Sequence, residues 1–430
     1  MNTIKSMINL LLMFVVAATL WIPFIASAEQ GDGYGYTISE VEAHQRWPWE
    51  RKVDINFVLT PPAGMPADQL VRMSVVASNN TSEVVVSPQS LRGTAVLPGA
   101  CHMLWDPTVD YSSQFFSSLK FYLSVVSTNV IPEYMVVDLV TGDVVYENDL
   151  LAERVNTDLY KTTKMALRYI EPGTFLMGRD TTKAMETTVT KGFYIGVFEV
   201  TQAQWKNIKG SYPPDTYFTE ARDMRPADSV SYYNIRGSSE GAKWPSSSNV
   251  DSDSFLGVLR ARTGVDAFDL PLEAQWESAC RAGTTTYYND GNFVAPDDDA
   301  SQDSSASNQY LTVLGRYRYN GGYMDGATNA PAGTCGPTNG TAIVGSYQPN
   351  LLGLYDMHGN LWELCRDRWY HNLLGGDDPV GRNDLTYQNC VRRGGVWLDA
   401  ASSCSSSYRF YATMSWRQES NGFRVMSQLP

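Results

Sequence analysis

The side chains of this sequence best suited to chemistry are its six cysteines and four histidines. The cysteines are Cys101, Cys280, Cys335, Cys365, Cys390 and Cys404. No Cys-x-x-Cys pair and no His-x-x-x-His pair occurs, so the usual spacings of zinc or non-haem iron ligands are missing. An even number of cysteines in an exported chain suits disulfide bonds, and six cysteines allow 15 pairings, none of which the sequence selects.

The run 359–363 (GNLWE) offers oxygen atoms instead of sulfur. It supplies the amide oxygen of Asn360, a main-chain carbonyl and the carboxylate of Glu363 within a few residues. Hard cations such as calcium prefer these ligands. Two interpretations stay open: a structural calcium site, or side chains that bond the backbone of a tight loop.

The overall charge excludes some partners for these groups. The chain has 46 acidic and 33 basic residues, which gives a formal net charge of −13. A chain this acidic lacks the basic footprint that nucleic acid or an anionic membrane attracts. Its aromatic content of 12% also excludes a mainly disordered chain, because disordered chains are poor in aromatic residues.

The N-terminal segment, residues 1–28, has the layout of a secretory signal peptide. Lys5 gives a positive start, an apolar run follows, and Ala26-Ser27-Ala28 offers a small-residue cleavage site. The alternative is an uncleaved membrane anchor, since the apolar stretch is almost long enough to span a bilayer. We expect an exported protein that is secreted, periplasmic or at the cell surface.

Two domains are needed to position these groups. Residues 36–147 contain short runs with alternating apolar residues, such as Val53, Ile55, Phe57 and Leu59, separated by turn clusters. This pattern predicts an all-β sandwich of the fibronectin-like kind. Residues 148–164 are interpreted as a linker. Residues 165–430 lack a steady period and predict helices only over 201–208 and 271–282, so we expect an α+β domain with little regular structure.

The second domain carries seven phrases in a characteristic order. They are 170–178 (IEPGTFLMG), 193–205 (FYIGVFEVTQAQW), 225–231 (RPADSVS), 270–277 (LPLEAQWE), 353–364 (GLYDMHGNLWEL), 393–397 (RGGVW) and 422–424 (GFR). Each phrase alone is weak, but the ordered set resembles the sulfatase-modifying-factor family, whose best-known member is the formylglycine-generating enzyme. The resemblance implies a C-type-lectin-like fold stabilised by calcium.

The resemblance also implies an activity. The formylglycine-generating enzyme oxidises a cysteine in a Cys-x-Pro-x-Arg segment of sulfatases, with dioxygen and with copper held by two cysteines. In this sequence Val396 replaces the serine of the family's Gly-Gly-Ser phrase, and Asp399 and Ser407 stand where the two cysteines are expected. Cys404 is the one cysteine left in this segment, and we expect it to form a disulfide, with Cys365 or Cys280 as partner, more readily than a copper site.

The same resemblance suggests metal and ligand residues. Asn360, Leu361 and Glu363 match the family's calcium turn, and Asn320 matches the start of a second calcium site. The C-terminal segment lines the substrate groove in the family, and side chains suited to binding occur there. The predicted ligand residues are Asp399, Tyr408, Arg409, Tyr411, Trp416 and Arg417.

We therefore predict an exported binding protein built on this scaffold. Its ligand would be a peptide, protein or glycan, with calcium as a structural ion and copper absent. We predict no nucleic-acid partner and no membrane partner beyond an uncleaved N-terminal anchor. The alternative is an active oxidase of the formylglycine-generating type that acts on a cysteine of a sulfatase-like substrate.

Overall fold

The structure is a computed structural model that describes residues 34–46, 51–65, 71–79, 82–87, 90–111, 119–128, 131–148, 152–179, 184–292, 308–320 and 340–428. The chain divides into two compact units between Pro132 and Glu133. The predicted signal peptide, residues 1–28, lies outside the described residues, as does Cys335. Across the described ranges, no helix has the length and apolarity needed to cross a membrane.

The first unit is built almost entirely of strands. They are β1 (Thr37–Gln45), β2 (Val53–Thr60), β3 (Val71–Ser78), β4 (Glu83–Val84), β5 (Leu91–Arg92), β6 (Ala95–Val96), β7 (Gly99–Trp105) and β8 (Lys120–Ser127), with a short helix α1 (Pro107–Asp110). One sheet has the order β1-β2-β7-β5, and the other has the order β4-β3-β6 with β8 paired to β3.

The predicted sandwich is confirmed by the way these strands bury their side chains. Alternate residues of β2 face inwards, from Val53 to Leu59, while Asp54 and Asn56 face outwards. The inward residues of both sheets form one apolar cluster, with Trp105 packed edge-on against Phe121 at a ring distance of 5.8 Å. Alternation of this kind is what two stacked antiparallel sheets require.

The second unit mixes strands with short helices. Its strands are β9 (Tyr134–Asp138), β10 (Val144–Glu147), β11 (Lys164–Ile170), β12 (Gly173–Met177), β13 (Met185–Val189), β14 (Phe193–Gly196), β15 (Phe268–Asp269), β16 (Trp362–Arg368), β17 (Gly376–Asp377), β18 (Asn389–Arg393), β19 (Arg409–Thr413), β20 (Asn421–Gly422) and β21 (Met426–Gln428). Its helices are α2 (Ala152–Val155), α3 (Asp158–Thr162), α4 (Gln202–Lys209), α5 (Tyr232–Arg236), α6 (Phe255–Thr263), α7 (Glu273–Arg281) and α8 (Leu311–Leu314), with 3₁₀ turns at Arg222–Met224, Gly241–Lys243 and Ala401–Cys404. Their sheets have the orders β10-β9-β11-β14-β21-β15, β12-β13-β17 and β19-β18-β16-β20.

The boundary between the units differs from the sequence-based assignment of 36–147 to the sandwich. The strand predicted near 134–140 forms, as β9, but it pairs with β11 through Met165↔Val137. The period-two pattern predicts a strand without naming its partner. Residues 133–147 therefore belong to the second unit, and so does the segment 148–164 interpreted as a linker.

Both predicted helices of the second unit form, and their ends follow local sequence signals. Helix α4 begins after Thr201, whose hydroxyl accepts a hydrogen bond from Gln204 N at 3.1 Å. The Gln204 side chain accepts one in return from Thr201 N at 3.0 Å. This reciprocal cap satisfies two main-chain donors that would otherwise be unpaired at the helix start.

The core of the second unit contains paired charges as well as apolar side chains. Asp269 pairs with Arg236 at 2.7 Å, Glu277 pairs with Arg281 at 2.8 Å and with Arg393, and all of these side chains are buried. Buried ions persist when each has an opposite charge and further hydrogen bonds. A domain with few regular elements is thus held together by side-chain contacts between segments far apart in sequence.

Candidate functional site

The predicted site residues gather around the sheet β19-β18-β16-β20. Strand β16 starts directly after the loop that holds Asn360. In the antiparallel register of the sheet, Glu363 in β16 lies opposite Arg393 in β18. Arg393 lies opposite Arg409 in β19. The segment 394–408 joins β18 to β19 and contains Val396, Asp399, Cys404 and Ser407. One sheet therefore brings the predicted metal, catalytic and ligand residues into one region.

Glu363 lies fully buried and forms an ion pair. Its Oε1 accepts from Arg424 Nη2 at 2.5 Å, and its Oε2 accepts from Arg424 Nε at 2.6 Å. The indole of Trp276 also donates to Oε2, at 2.6 Å. Both carboxylate oxygens are thus occupied by protein donors, and one of those donors carries a positive charge.

Asn360 and Leu361 are held by a residue that the sequence analysis did not single out. The Asn360 side-chain amide donates to Glu199 Oε2 at 2.5 Å, and Leu361 N donates to Glu199 Oε1 at 3.0 Å. The Asn360 oxygen accepts from Ala342 N at 2.8 Å. Burial raises the pKa of Glu199 well above its ordinary value, and the neighbouring carboxylates of Asp356 and Glu363 raise it further.

The second predicted metal residue, Asn320, is also engaged with backbone. Its oxygen accepts from Tyr317 N at 2.8 Å, and its amide donates to Gly315 O at 3.0 Å. The side-chain oxygens of Asn320, Asn360 and Glu363 therefore already accept N–H groups, and Arg424 places a cation beside Glu363. In this arrangement these three side chains are engaged by protein donors, and calcium binding at the turn stays a prediction. In the described ranges, no group of three or more His, Cys, Asp or Glu side chains is arranged to hold a metal.

The positions of the family's copper site contain no thiolate pair. Val396 is buried beside Phe218, Leu361 and Trp362. Ser407 is also buried, while Asp399 is partly exposed. Cys404 is the cysteine nearest these positions in sequence, and burial raises the pKa of its thiol well above the ordinary value, with the Asp399 carboxylate raising it further. Cu(I) prefers soft thiolate donors, so a carboxylate, a hydroxyl and one protonated thiol do not fit it.

The disulfide prediction is wrong for the cysteines that the structure describes. Cys280, Cys365, Cys390 and Cys404 are buried free thiols. Burial raises the pKa of Cys280 to about 12 and that of Cys365 well above its ordinary value. Sequence gives residue types and compartment, but pairing depends on whether the Cβ atoms meet, and here the cysteines fill apolar core positions instead.

The carboxylate of Asp399 is incompletely hydrogen-bonded. Its carboxylate receives a side-chain hydrogen bond from Trp362, but its Oδ2 atom is buried without a hydrogen-bond partner in the described structure. Burial raises the pKa of Asp399 to about 6, against the lowering effect of the Arg392 charge. At neutral pH the group is therefore an ionised carboxylate that is incompletely paired.

This raised pKa predicts a pH-dependent gain in stability for Asp399→Asn. A carboxyl whose pKa is higher in the folded than in the unfolded chain stabilises the fold below its unfolded pKa, and this contribution is lost as the pH rises through about 6. Near pH ~8 the variant should melt at a higher temperature than the wild type. The gain should shrink through pH ~6 and vanish near the ordinary pKa of 3.8.

Asp251→Asn is the matched control, and the change in melting temperature expected for it has the opposite sign. Main-chain N–H groups of Ser239, Glu240 and Gly241 lower the pKa of Asp251 despite its partial burial. Its ionised form therefore stabilises the fold, and the variant should melt below the wild type at neutral pH. Thermal melts of both variants over a pH series measure the two changes in melting temperature. A fall in melting temperature for Asp399→Asn at high pH would contradict the raised pKa of Asp399.

An aromatic face, defined here as Trp362, Trp369, Tyr408, Phe410 and Tyr411, includes the Trp362 ring that donates to Asp399. The Trp362 ring is 5.9 Å from Tyr408 and 6.3 Å from Phe410. Phe410 stacks on Tyr411 at 4.9 Å, and Tyr411 lies 5.4 Å from Trp369. Phe410 and Tyr411 are 39% and 41% exposed, so the stacked pair within this row of rings is open to solvent.

The other predicted ligand residues differ in their availability. Arg409 is committed to the fold, because its guanidinium pairs with Glu273 at 2.6 Å and lies over the Trp369 ring. Arg417 forms an exposed ion pair with Asp215 at 2.8 Å. Trp416 is 55% exposed. Of the predicted set, Tyr411 and Trp416 thus present the largest open aromatic surfaces, and Arg409 contacts the Trp369 ring.

Sequence reasoning missed several residues of this region. Glu199 lies in the phrase 193–205, where its neighbours gave no sign that it would reach Asn360. Phe410 and Trp369 were missed because single aromatic residues are more often core than surface. Arg392, whose guanidinium lies 4.9 Å from the Trp362 ring and 5.3 Å from the Phe410 ring, would have been found only from the pairing of β18 with β19.

The fold and the ordered phrases define the second unit as a strand-rich α+β domain with long irregular segments. More particularly, residues 154–429 match the family model described as the sulfatase-modifying factor enzyme 1-like domain. The chain belongs to this family. The predicted family and its α+β fold, preceded by a β-sandwich, are therefore confirmed.

Three proteins to which this chain is similar carry different names. The chaperone protein LppX of Paenibacillus barcinonensis is 28% identical over 255 residues, which cover 56% of this chain and 81% of the relative. The formylglycine-generating enzyme of Thermomonospora curvata is 33% identical over 142 residues, which cover 32% of this chain and 40% of that enzyme. Among solved structures, Treponema denticola variable protein 1 is 20% identical with a TM-score of 0.45, and the match covers 62% of this chain and 96% of that one.

Proposed function

We propose that this chain is an exported binding protein of the sulfatase-modifying-factor family, and that its C-terminal domain holds a peptide or glycan without oxidising it. The observation that carries the proposal is the donor set at the family's copper positions. Asp399 and Ser407 replace the two cysteines there, and Cys404 is buried with a raised thiol pKa. A buried thiol in its protonated form is a poor copper ligand and a poor nucleophile.

The surface next to these positions supports binding. Phe410 and Tyr411 are exposed members of a row of aromatic rings, and Tyr, Trp and Arg are the residues in which binding energy concentrates. The similarity to a relative named as a chaperone agrees with a role in holding another chain. Export rests on the layout of residues 1–28 and on no structural observation.

The test compares binding of copper with oxidation of a peptide. Purified protein is titrated with Cu(I) against a chromogenic chelator, then incubated with copper, reductant, dioxygen and a Cys-x-Pro-x-Arg peptide whose mass is measured. We expect no Cu(I) retained in competition with the chelator and an unchanged peptide mass. Retained copper together with conversion of the peptide cysteine to an aldehyde would overturn the proposal in favour of the oxidase.

A variant tests whether any Cu(I) binding depends on the thiol of Cys404. Cys404→Ser removes the thiol that an oxidase on rearranged cysteines would need. The proposal expects the same copper titration for the variant and for the wild type. A tight Cu(I) site that disappears with Cys404→Ser would assign copper chemistry to this segment.

A further inference from the structure

Three arginine side chains of the second unit share a single carboxylate. Arg236 Nε donates to Asp269 Oδ1 at 2.7 Å. Arg260 Nη2 and Arg366 Nη2 lie 3.3 Å and 3.0 Å from Asp269 Oδ2. The main-chain N–H of Leu270 also donates to Oδ1, at 2.8 Å. Both oxygens of Asp269 are therefore occupied, and three positive charges face one negative charge.

The neighbouring charged groups leave this excess of positive charge in place. Arg368 donates to three main-chain carbonyls, one of which is that of Trp244 at 3.0 Å. The carboxylate of Asp367 accepts two main-chain N–H groups, so this second pair adds one charge of each sign. The exposed carboxylate of Asp266 also attracts Arg260, but water screens a charge at the surface.

Two buried N–H groups at this cluster have no hydrogen-bond partner within the part of the chain that the structure describes. They are Arg366 Nε and Trp244 Nε1. The guanidinium carbon of Arg366 lies 3.4 Å from the centre of the Trp244 ring, so the two donors belong to side chains in direct contact. A buried donor without an acceptor costs free energy, because its lost hydration is not replaced.

The charge around Arg366 shows which kind of acceptor is missing. Burial lowers the pKa of Arg366, and the charges of Arg236 and Arg260 lower it further, against the raising effect of Asp269. A water molecule can accept from both N–H groups, but it leaves the repulsion between the arginines unchanged. An anion accepts stronger, charge-assisted hydrogen bonds and also offsets the positive charge.

The stacked pair lies under a loop at the surface. Trp244 is partly exposed, the Arg366 side chain is 13% exposed, and Ser246, Ser248 and Asn249 are exposed. The carbonyl oxygen of Ser248 accepts from Arg260 at 3.2 Å, which ties this loop to the arginines. A small ion can reach the pair when such an exposed segment opens locally. A halide fits better than sulfate or phosphate, because the cost of removing an ion from water grows with the square of its charge.

We propose that Trp244 Nε1 and Arg366 Nε bind a chloride ion, which fastens the loop 244–250 to the arginine cluster. The ion accepts both orphaned N–H groups and reduces the repulsion between Arg236, Arg260 and Arg366. This site does not depend on the proposed binding function, and its role is to stabilise the fold.

Crystals of the full chain test the position of the ion directly. They are grown without chloride and soaked in sodium bromide, and anomalous diffraction is measured at the bromine absorption edge. We expect a bromide peak within hydrogen-bond reach of Trp244 Nε1 and Arg366 Nε. Absence of a peak there would mean that water or no ligand occupies the position, and it would overturn the proposal.

Thermal melts test whether the ion binds in solution. Sodium chloride is compared with sodium gluconate at equal ionic strength, so that only the small anion differs. The melting temperature of the wild type should rise with the chloride concentration, and by roughly 3 °C once chloride is about ten times its Kd. A bromide peak without this rise would mean binding at crystal concentration only, which would also overturn the proposal.

Two variants locate the effect. Trp244→Phe keeps a ring against Arg366 but removes the N–H, and it should lose the rise that chloride causes. Trp369→Phe is the matched control, because Trp369 also lies under a guanidinium, that of Arg409 at 4.4 Å, and it should keep the rise. An equal rise in Trp244→Phe and the wild type would overturn the proposal. If Trp244→Phe does not fold, the bromide measurement on the wild type decides.

Discussion

Replacing Glu363 with alanine should lower the free energy of unfolding by about 3–5 kcal/mol, because the change leaves Arg424 buried without its partner. Both side chains are fully buried, and Arg424 places two nitrogens on the carboxylate. Chemical denaturation followed by circular dichroism measures the effect. Since the carboxylate is occupied by Arg424 and Trp276, we expect the same loss in calcium chloride and in EGTA.

Asp215→Ala is the matched control for this prediction. Asp215 also pairs with an arginine, at 2.8 Å, but its side chain is 75% exposed and that of Arg417 is 45% exposed. Exposed ion pairs contribute about 0–1 kcal/mol, so this variant should unfold almost as the wild type does. If Glu363→Ala lost stability only when calcium was present, the residue would be a metal ligand and the ion-pair assignment would be wrong.

Replacing Gly359 with alanine should destabilise the chain by at least about 3 kcal/mol, from the combined costs of overpacking and of a left-handed backbone. Gly359 has φ of +80°, and an added Cβ would lie 2.0 Å from the carbonyl oxygen of Arg316. In the same turn Gly359 N donates to Gly394 O at 2.7 Å, and the turn places Asn360 against Glu199. The clash is with backbone, so no side chain can move aside to relieve it.

Gly264→Ala separates the two costs. Gly264 follows helix α6 with φ of +72°, but nothing lies within 4 Å of its added Cβ. The backbone cost alone, about 1–2 kcal/mol, applies there. Equal losses in the two variants, measured by denaturation, would show that the close approach of Arg316 does not constrain the turn.

The elements that could be predicted from sequence are those with strong local signals. Strand β2 follows from strict alternation, and helix α4 from Thr201, Gln204 and the glycine at its end. The family phrases locate the site segment because their order is specific. The boundary between the units could not be predicted, since β9 reads as a strand in either unit and only its pairing with β11 assigns it.

The partners of the site residues could not be predicted either. The contact of Glu199 with Asn360 joins residues 161 positions apart, and no local pattern encodes it. Calcium was expected because Asn360 and Glu363 have the right atom types, and in the structure the Asn360 oxygen accepts from Ala342 N while the Glu363 oxygens accept from Arg424. The type of a side-chain atom predicts what it can bind, and the packing of the folded chain decides which partner it actually contacts.

The place of β21 in its sheet has a consequence for synthesis of the chain. This strand, at Met426–Gln428, lies between β14 and β15 and pairs with Phe193 through Gln428. A nascent polypeptide therefore exposes the edge of β14 on the ribosome until more than 200 further residues have emerged. Closure over such a long loop makes folding slow, so this domain should need protection from aggregation during translation more than the sandwich that precedes it.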